Sequence, residues 1–215
     1  LACAQSGPED GFMVTNPDAN YLALGDSYTI GESVPATDRW CVQLAGLLRK
    51  DGLNITDPDI IARTGWTTGE LSEAIKKSGN QKTYNLVSLL IGVNNQYRGQ
   101  STEMYRAEFR ELLQTAVRFA GEKPKRVFVL SIPDWGVTPY AAGRNRQQIA
   151  QEIDAFNAIA QEECKKAGIT YVDITPLSRT AAQDPSQIAE DQLHFSGKQY
   201  RQWAEKALPD VKKLL

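Results

Sequence analysis

Histidine occurs once in this chain of 215 residues, at His194. A neutral-pH general base of the usual kind therefore has one candidate. Cysteine is nearly as scarce: Cys3, Cys41 and Cys164, with no Cys-x-x-Cys spacing. That excludes a disulfide framework and gives no signal for a metal such as zinc. Cys41 and Cys164 fall in helical patterns and read as small buried hydrophobes. No apolar run is long enough to span a membrane. Basic residues do not exceed acidic ones, and the net charge is -2, so there is no positive field to recruit nucleic acid. Internal repeats and low-complexity tracts are missing too. So is a Gly-x-Ser-x-Gly elbow, which removes support for the α/β-hydrolase fold.

What is present is a core-forming composition, 41% hydrophobic and 23% charged, enough for one domain. Residues 1–18, rich in Gly, Pro, Ser and Asp, read as a flexible leader, leaving 19–215 as the folded domain. Within the leader, Leu1-Ala2-Cys3 followed by a polar stretch resembles the end of a bacterial lipoprotein signal. That implies lipidation of Cys3, a membrane tether and a place in the cell envelope (periplasm or outer membrane), or secretion. A trimmed terminus with an incidental cysteine is the plainer alternative.

Short apolar runs alternate with amphipathic stretches, which predicts an α/β fold with a parallel sheet. Strands are expected at 21–25, 59–63, 86–91, 127–130 and 169–172. Helices are expected at 38–51, 70–77, 102–120, 144–166 and 197–215. In an open parallel sheet the loops leaving the carboxyl ends of the strands share one edge, where ligands bind. Ser27 follows the first strand, Gly65 the second and Asn94 the third; Asp191 and His194 lie beyond the fifth. Residues scattered along the chain thus converge on one crevice.

Their chemistry is that of ester cleavage. A serine needs a base to take its proton, and the base needs an anion to hold its tautomer. Asp191 and His194 are three apart, a spacing that a helical turn would bring to one side. The oxyanion needs donors in place beforehand, and the amides of Ser27 and Gly65 with the side chain of Asn94 supply three. Each residue also has a bland reading. Serine in such a position is usually a turn or N-cap residue, a lone histidine is more often structural, and asparagine after glycine is more often a turn.

In this order the blocks resemble those of the SGNH hydrolases, the GDSL esterase/lipase family. Gly25-Asp26-Ser27-Tyr28 is similar to the first block, Thr64-Gly65-Trp66-Thr67 to the second, Gly92-Val93-Asn94-Asn95 to the third and Asp191-Gln192-Leu193-His194 to the last. The resemblance implies Ser27 as nucleophile, Asp191 and His194 as its partners, and Ser27, Gly65 and Asn94 as the oxyanion hole. It also implies a three-layer α/β/α sandwich around a flavodoxin-like five-stranded parallel sheet, and no cofactor. There are two departures. Asn95 stands where the family usually has Asp, and Phe195 where a proline commonly follows the histidine.

The substrate pocket is expected among Trp66, Asn95, Tyr97, Trp135 and Phe195, with Tyr140 nearby. Together they offer an aromatic mouth for a sugar ring or short acyl group; ordinary loop anchoring is the alternative. The expected partner is a small-molecule or glycan ester, with acetyl as the favoured acyl group. A lysophospholipase or thioesterase is the alternative within the family. From other classes come a flavodoxin-like electron carrier, with FMN phosphate at residues 27–33, and an inactive binding module.

Overall fold

The structure, a computed structural model, describes residues 18–215; Cys3 and most of the expected leader lie outside them. Five strands form one parallel sheet in the order β2-β1-β3-β4-β5: β1 (Tyr21–Gly25), β2 (Asp59–Ala62), β3 (Leu86–Leu90), β4 (Val127–Leu130) and β5 (Thr170–Val172). The chain runs from β1 out to β2 and then crosses back past β1 to β3. The carboxyl ends of β1 and β3 therefore flank the topological switch point, where such sheets open a crevice. Gly25 stands in register with Leu90 there.

The inner strands β1, β3 and β4 are buried on both faces, while the edge strands β2 and β5 are only partly so. This is why the inner runs read as unbroken apolar stretches. The one polar side chain in β3, Ser88, is buried, and its hydroxyl is paired with the Tyr21 hydroxyl at 2.8 Å.

Among the described residues eight helices lie between or after the strands: α1 (Ser27–Ile30), α2 (Trp40–Lys50), α3 (Thr68–Ser78), α4 (Val93–Tyr97), α5 (Thr102–Phe119), α6 (Arg146–Ala167), α7 (Thr175–Arg179) and α8 (Gly197–Lys212). Helix α2 packs on α8, and α3, α5 and α6 pack together on the other side, giving the three layers expected. In α5 the stripe Tyr105, Phe109, Leu112, Leu113 and Ala116 is buried as its spacing predicts, while Val117 is half-buried at the margin. Cys41 and Cys164 are buried free thiols.

The expected boundaries move where capping chemistry overrides the apolar pattern. Helix α3 starts at Thr68 rather than 70 because Thr67 caps it. The Thr67 hydroxyl accepts from the Glu70 amide, and the Glu70 carboxylate accepts from the Thr67 amide. Helix α6 starts at Arg146 because Asn145 accepts from the Gln148 amide. Residues 36–38 form a single tight turn before α2, so that helix starts at Trp40. The one-turn helices α1, α4 and α7 fall where loops were expected; four or five residues carry too little periodicity to be seen.

Candidate active site

Helix α1 begins immediately after β1, and Ser27 is its first residue. Its N–H therefore has no intrahelical acceptor. Asp26, not Ser27, is the N-cap: its Oδ1 accepts from the Tyr28 amide at 3.0 Å. The Asp26 side chain is wholly buried, Oδ2 has no protein partner, and burial pushes its carboxyl up to about 7 against the pull of the Tyr28 amide. The strand-to-helix corner depends on Gly25. A Cβ there would collide with Thr29 Oγ1 and stand 2.8 Å from the Leu90 carbonyl oxygen.

The sole imidazole reaches this corner from 167 residues away. His194 Nε2 lies 3.0 Å from Ser27 Oγ, and His194 Nδ1 lies 2.5 Å from Asp191 Oδ2. The serine and the imidazole are both buried, and the carboxylate is partly exposed. Residues 191–194 do not form the helical turn expected. Asp191 Oδ1 accepts from the amides of Leu193 at 3.0 Å and His194 at 2.8 Å, and Gln192 takes the left-handed conformation with φ 63°. The carboxylate itself bends the chain, and that bend brings the imidazole back onto Oδ2. Ser33 adds a fourth hydrogen bond, Oγ to Oδ2 at 2.9 Å. Burial works to raise the Asp191 carboxyl. The bonds from His194, the Leu193 and His194 amides and Ser33 outweigh it and bring the carboxyl down to about 2. Ser33 carries no local sequence signal for this role, because its partner lies 158 residues on.

Gly65 follows β2 in the left-handed conformation, φ 89°, which a glycine adopts without strain. Arg98 holds the Gly65 carbonyl oxygen at 2.6 Å and is itself paired with Glu70. Asn94 lies in α4, and its Nδ2 donates to the Trp66 carbonyl oxygen at 2.9 Å. That bond orients the amide and occupies one of its two protons.

A cavity of about 170 Å³ adjoins these groups. Ser27, Asn94, Leu193 and His194 line it together with Tyr97, Trp135 and Tyr140. Two pocket expectations are corrected. Phe195 is fully buried between Tyr28 and Trp203, with centroids 5.8 and 5.7 Å away, and belongs to the core. Asn95 is also fully buried. It accepts from the Thr68 amide at 3.1 Å and donates to Thr68 Oγ1 and Gln100 Oε1, so it joins α3 to α4. Trp66 packs against the core and presents its carbonyl to Asn94. The seat imagined for a flavin phosphate is also occupied. Thr29 is buried with Oγ1 facing Trp40 Nε1 at 3.4 Å, and the Ser27 hydroxyl faces His194.

At the switch point of this flavodoxin-like parallel sheet, Ser27, His194 and Asp191 form one hydrogen-bonded chain. The chain belongs to the GDSL-like lipase/acylhydrolase family, whose model matches residues 23–202, and it is a carboxylic ester hydrolase of that family. Solved structures share the fold at low identity. TesA is 17% identical with a TM-score of 0.71, covering 91% of this chain and 99% of its own. The acetylxylan esterase Axe2 from Geobacillus stearothermophilus is 17% identical with a TM-score of 0.71, covering 90% and 94%. A lipase/acylhydrolase from Enterococcus faecalis is 20% identical with a TM-score of 0.69, covering 91% and 96%. No curated protein sequence matches the chain.

Proposed function

We propose that Ser27, His194 and Asp191 hydrolyse esters of short acyl groups, such as acetyl on a glycan or small molecule, through an acyl-enzyme. The observation that carries this reading is the continuous chain of 3.0 Å and 2.5 Å contacts from hydroxyl to imidazole to carboxylate. Ionised Asp191 keeps the imidazole proton on Nδ1 and leaves Nε2 free to accept. Ser27 Oγ attacks the carbonyl carbon while its proton passes to Nε2. The oxyanion is met by the Ser27 and Gly65 amides and the second proton of Asn94 Nδ2. Collapse breaks the ester bond, and the departing alkoxide takes the proton from Nε2. Water then repeats the sequence on the acyl-serine, giving one proton to Nε2 and releasing the acid as Ser27 recovers it.

The small cavity favours a short acyl group over the long chain of a lysophospholipid. Acetylxylan esterase among the fold relatives is consistent with an acetylated sugar. A place in the cell envelope, through a lipid on Cys3, belongs to the same proposal; labelled-lipid incorporation with a Cys3→Ser control decides it. The central test is turnover of p-nitrophenyl acetate and of acetylated sugars by wild type and Ser27→Ala. The alanine variant is expected to lose on the order of 10⁴-fold or more. Wild-type rates in that variant would end the assignment.

A further inference from the structure

Tyr97, Trp135 and Tyr140 supply aromatic rings that line the cavity beside Ser27 and His194. Trp135 is buried, and its Nε1 donates to Gln96 Oε1 at 2.8 Å. Tyr97 and Tyr140 are 46% and 41% exposed. They come from different segments. Tyr97 closes α4, whereas Tyr140 lies in the loop after β4. Their hydroxyls meet at 2.9 Å, and the Tyr140 amide donates to the Gln192 carbonyl oxygen at 3.0 Å. The loop after β4 is thereby joined on one side to α4 and on the other to the turn that carries Asp191 and His194.

Arg144 sits over this junction. Its Cζ lies 5.5 Å from the Tyr97 and Trp135 ring centroids and 5.1 Å from that of Tyr140, and its Nη2 donates to the Tyr97 hydroxyl at 3.4 Å. No carboxylate pairs with Arg144 among the described residues. A guanidinium without an anionic partner, shared among three rings, is held by its attraction to the ring faces, and it holds those rings in turn.

We infer that Tyr97 and Tyr140 form a strap along the aromatic side of the cavity, and that Arg144 is the positioning residue that holds it in place and so sets the longest acyl chain accepted. The inference rests on the ester-hydrolase reading of Ser27. At roughly 30 Å³ per water-sized unit, a cavity of about 170 Å³ accepts about six non-hydrogen atoms. That corresponds to a butanoyl or hexanoyl group with its carbonyl. Longer chains must displace the strap. The three rings meet edge to face, 5.3 Å apart for Tyr97 with Trp135 and 6.1 Å for Trp135 with Tyr140, so loss of the clamp frees the two exposed rings before the buried indole.

The test compares kcat/KM for p-nitrophenyl esters from acetate to decanoate in wild type, Arg144→Ala, Arg144→Lys and Tyr140→Phe. A second series holds acetyl constant and lengthens the alcohol. In wild type, kcat/KM should rise by roughly fourfold per methylene while the chain fits, peak near four to six carbons and then fall. In Arg144→Ala the decanoate-to-acetate ratio should rise at least tenfold, through KM for the long esters. Lysine, which keeps the charge without the planar fork, should give an intermediate ratio. Tyr140→Phe removes one hydroxyl and keeps the ring, so it gives a second reading if the alanine variant folds poorly. An unchanged chain-length profile in Arg144→Ala and Tyr140→Phe overturns the inference. So does a shift confined to the alcohol series, which would place the leaving group against the strap. Ser27→Ala is assayed in parallel. Hydrolysis that survives it refutes the site itself, whereas serine-dependent hydrolysis with an unmoved profile refutes only the strap.

Discussion

Asp191→Asn separates the charge of the carboxylate from its shape. Asp191 accepts four hydrogen bonds. Oδ1 takes the Leu193 and His194 amides, and Oδ2 takes His194 Nδ1 and Ser33 Oγ. Asparagine can keep its oxygen toward the two amides, which preserves the bend at residues 191–194. Its NH₂ then faces Nδ1 and Ser33 Oγ. The Ser33 hydroxyl can turn to accept, but Nδ1 can accept only as the other tautomer, with the proton on Nε2. That proton points at Ser27 Oγ, and the imidazole can no longer take the serine proton. In another Ser-His-Asp enzyme the same exchange costs about 10⁴ in kcat, or roughly 5 kcal/mol of barrier. The expected result here is a fall of that order for p-nitrophenyl acetate. The thermal midpoint should stay within a few degrees, since a shift of about 2–4 °C corresponds to only ~1 kcal/mol in a domain of this size. An Asp191→Asn enzyme that folds and retains kcat within tenfold of wild type would refute the tautomer argument.

Four further outcomes follow from the same geometry. Asp191 remains ionised down to about 2, so its carboxylate takes up no proton above pH 4. Replacing Asp191 by Asn should therefore leave the shape of the acid limb of log kcat/KM above pH 4 unchanged, and a break that disappears in the variant would bring the carboxylate into the titration. The same depressed carboxyl contributes stability that is present above about pH 4 and lost as pH falls toward 2, measurable as an acid-unfolding midpoint that moves up in Asp191→Asn. Asp26 has the opposite sign. Its folded-state value near 7 means the native state holds the proton longer, so its contribution falls as pH rises from about 4 to 7, by at most on the order of 4 kcal/mol. Asp26→Asn, which can still cap α1, should flatten that part of the urea stability profile between pH 5 and 8; an unchanged profile would contradict a buried neutral acid. Finally, Glu163 is buried between α5 and α6 and accepts from Arg106 and Arg110. Glu163→Gln should cost about 1–3 kcal/mol in urea unfolding and leave ester turnover intact, and no loss would mean the pairs are fully offset by solvent.

The site was legible in the sequence to the extent that its residues are rare or adjacent to strand ends. His194 has no rival. Ser27 and Asn94 each follow an apolar run whose burial on both faces could be read from its composition, and Gly65 follows the partly buried edge strand β2. The sequence could not distinguish the two sides of a loop. Phe195, next to His194, points into the core, and Asn95, next to Asn94, is buried under α3. In a short turn the direction of each side chain depends on which backbone groups are capped, and no periodicity records that. Helix starts were misplaced for the same reason: the Thr67–Glu70 capping box outweighs the polarity that made residues 67–69 look like loop.

The sequence by itself determined the alternation of strands and helices, the single parallel sheet it implies, and the one edge at which the chemistry-bearing residues gather. Those follow from local apolar patterning and from the rule that parallel strands send their exits to a common side. Only the tertiary structure decided that Ser33 reaches Asp191, that Arg98 grips the Gly65 carbonyl, and that Arg144 and the rings of its own loop meet Tyr97 of α4. Such contacts join residues far apart in the chain. Whether two of them touch depends on how the layers pack and how the loops are pinned, and neither segment carries a mark of its partner.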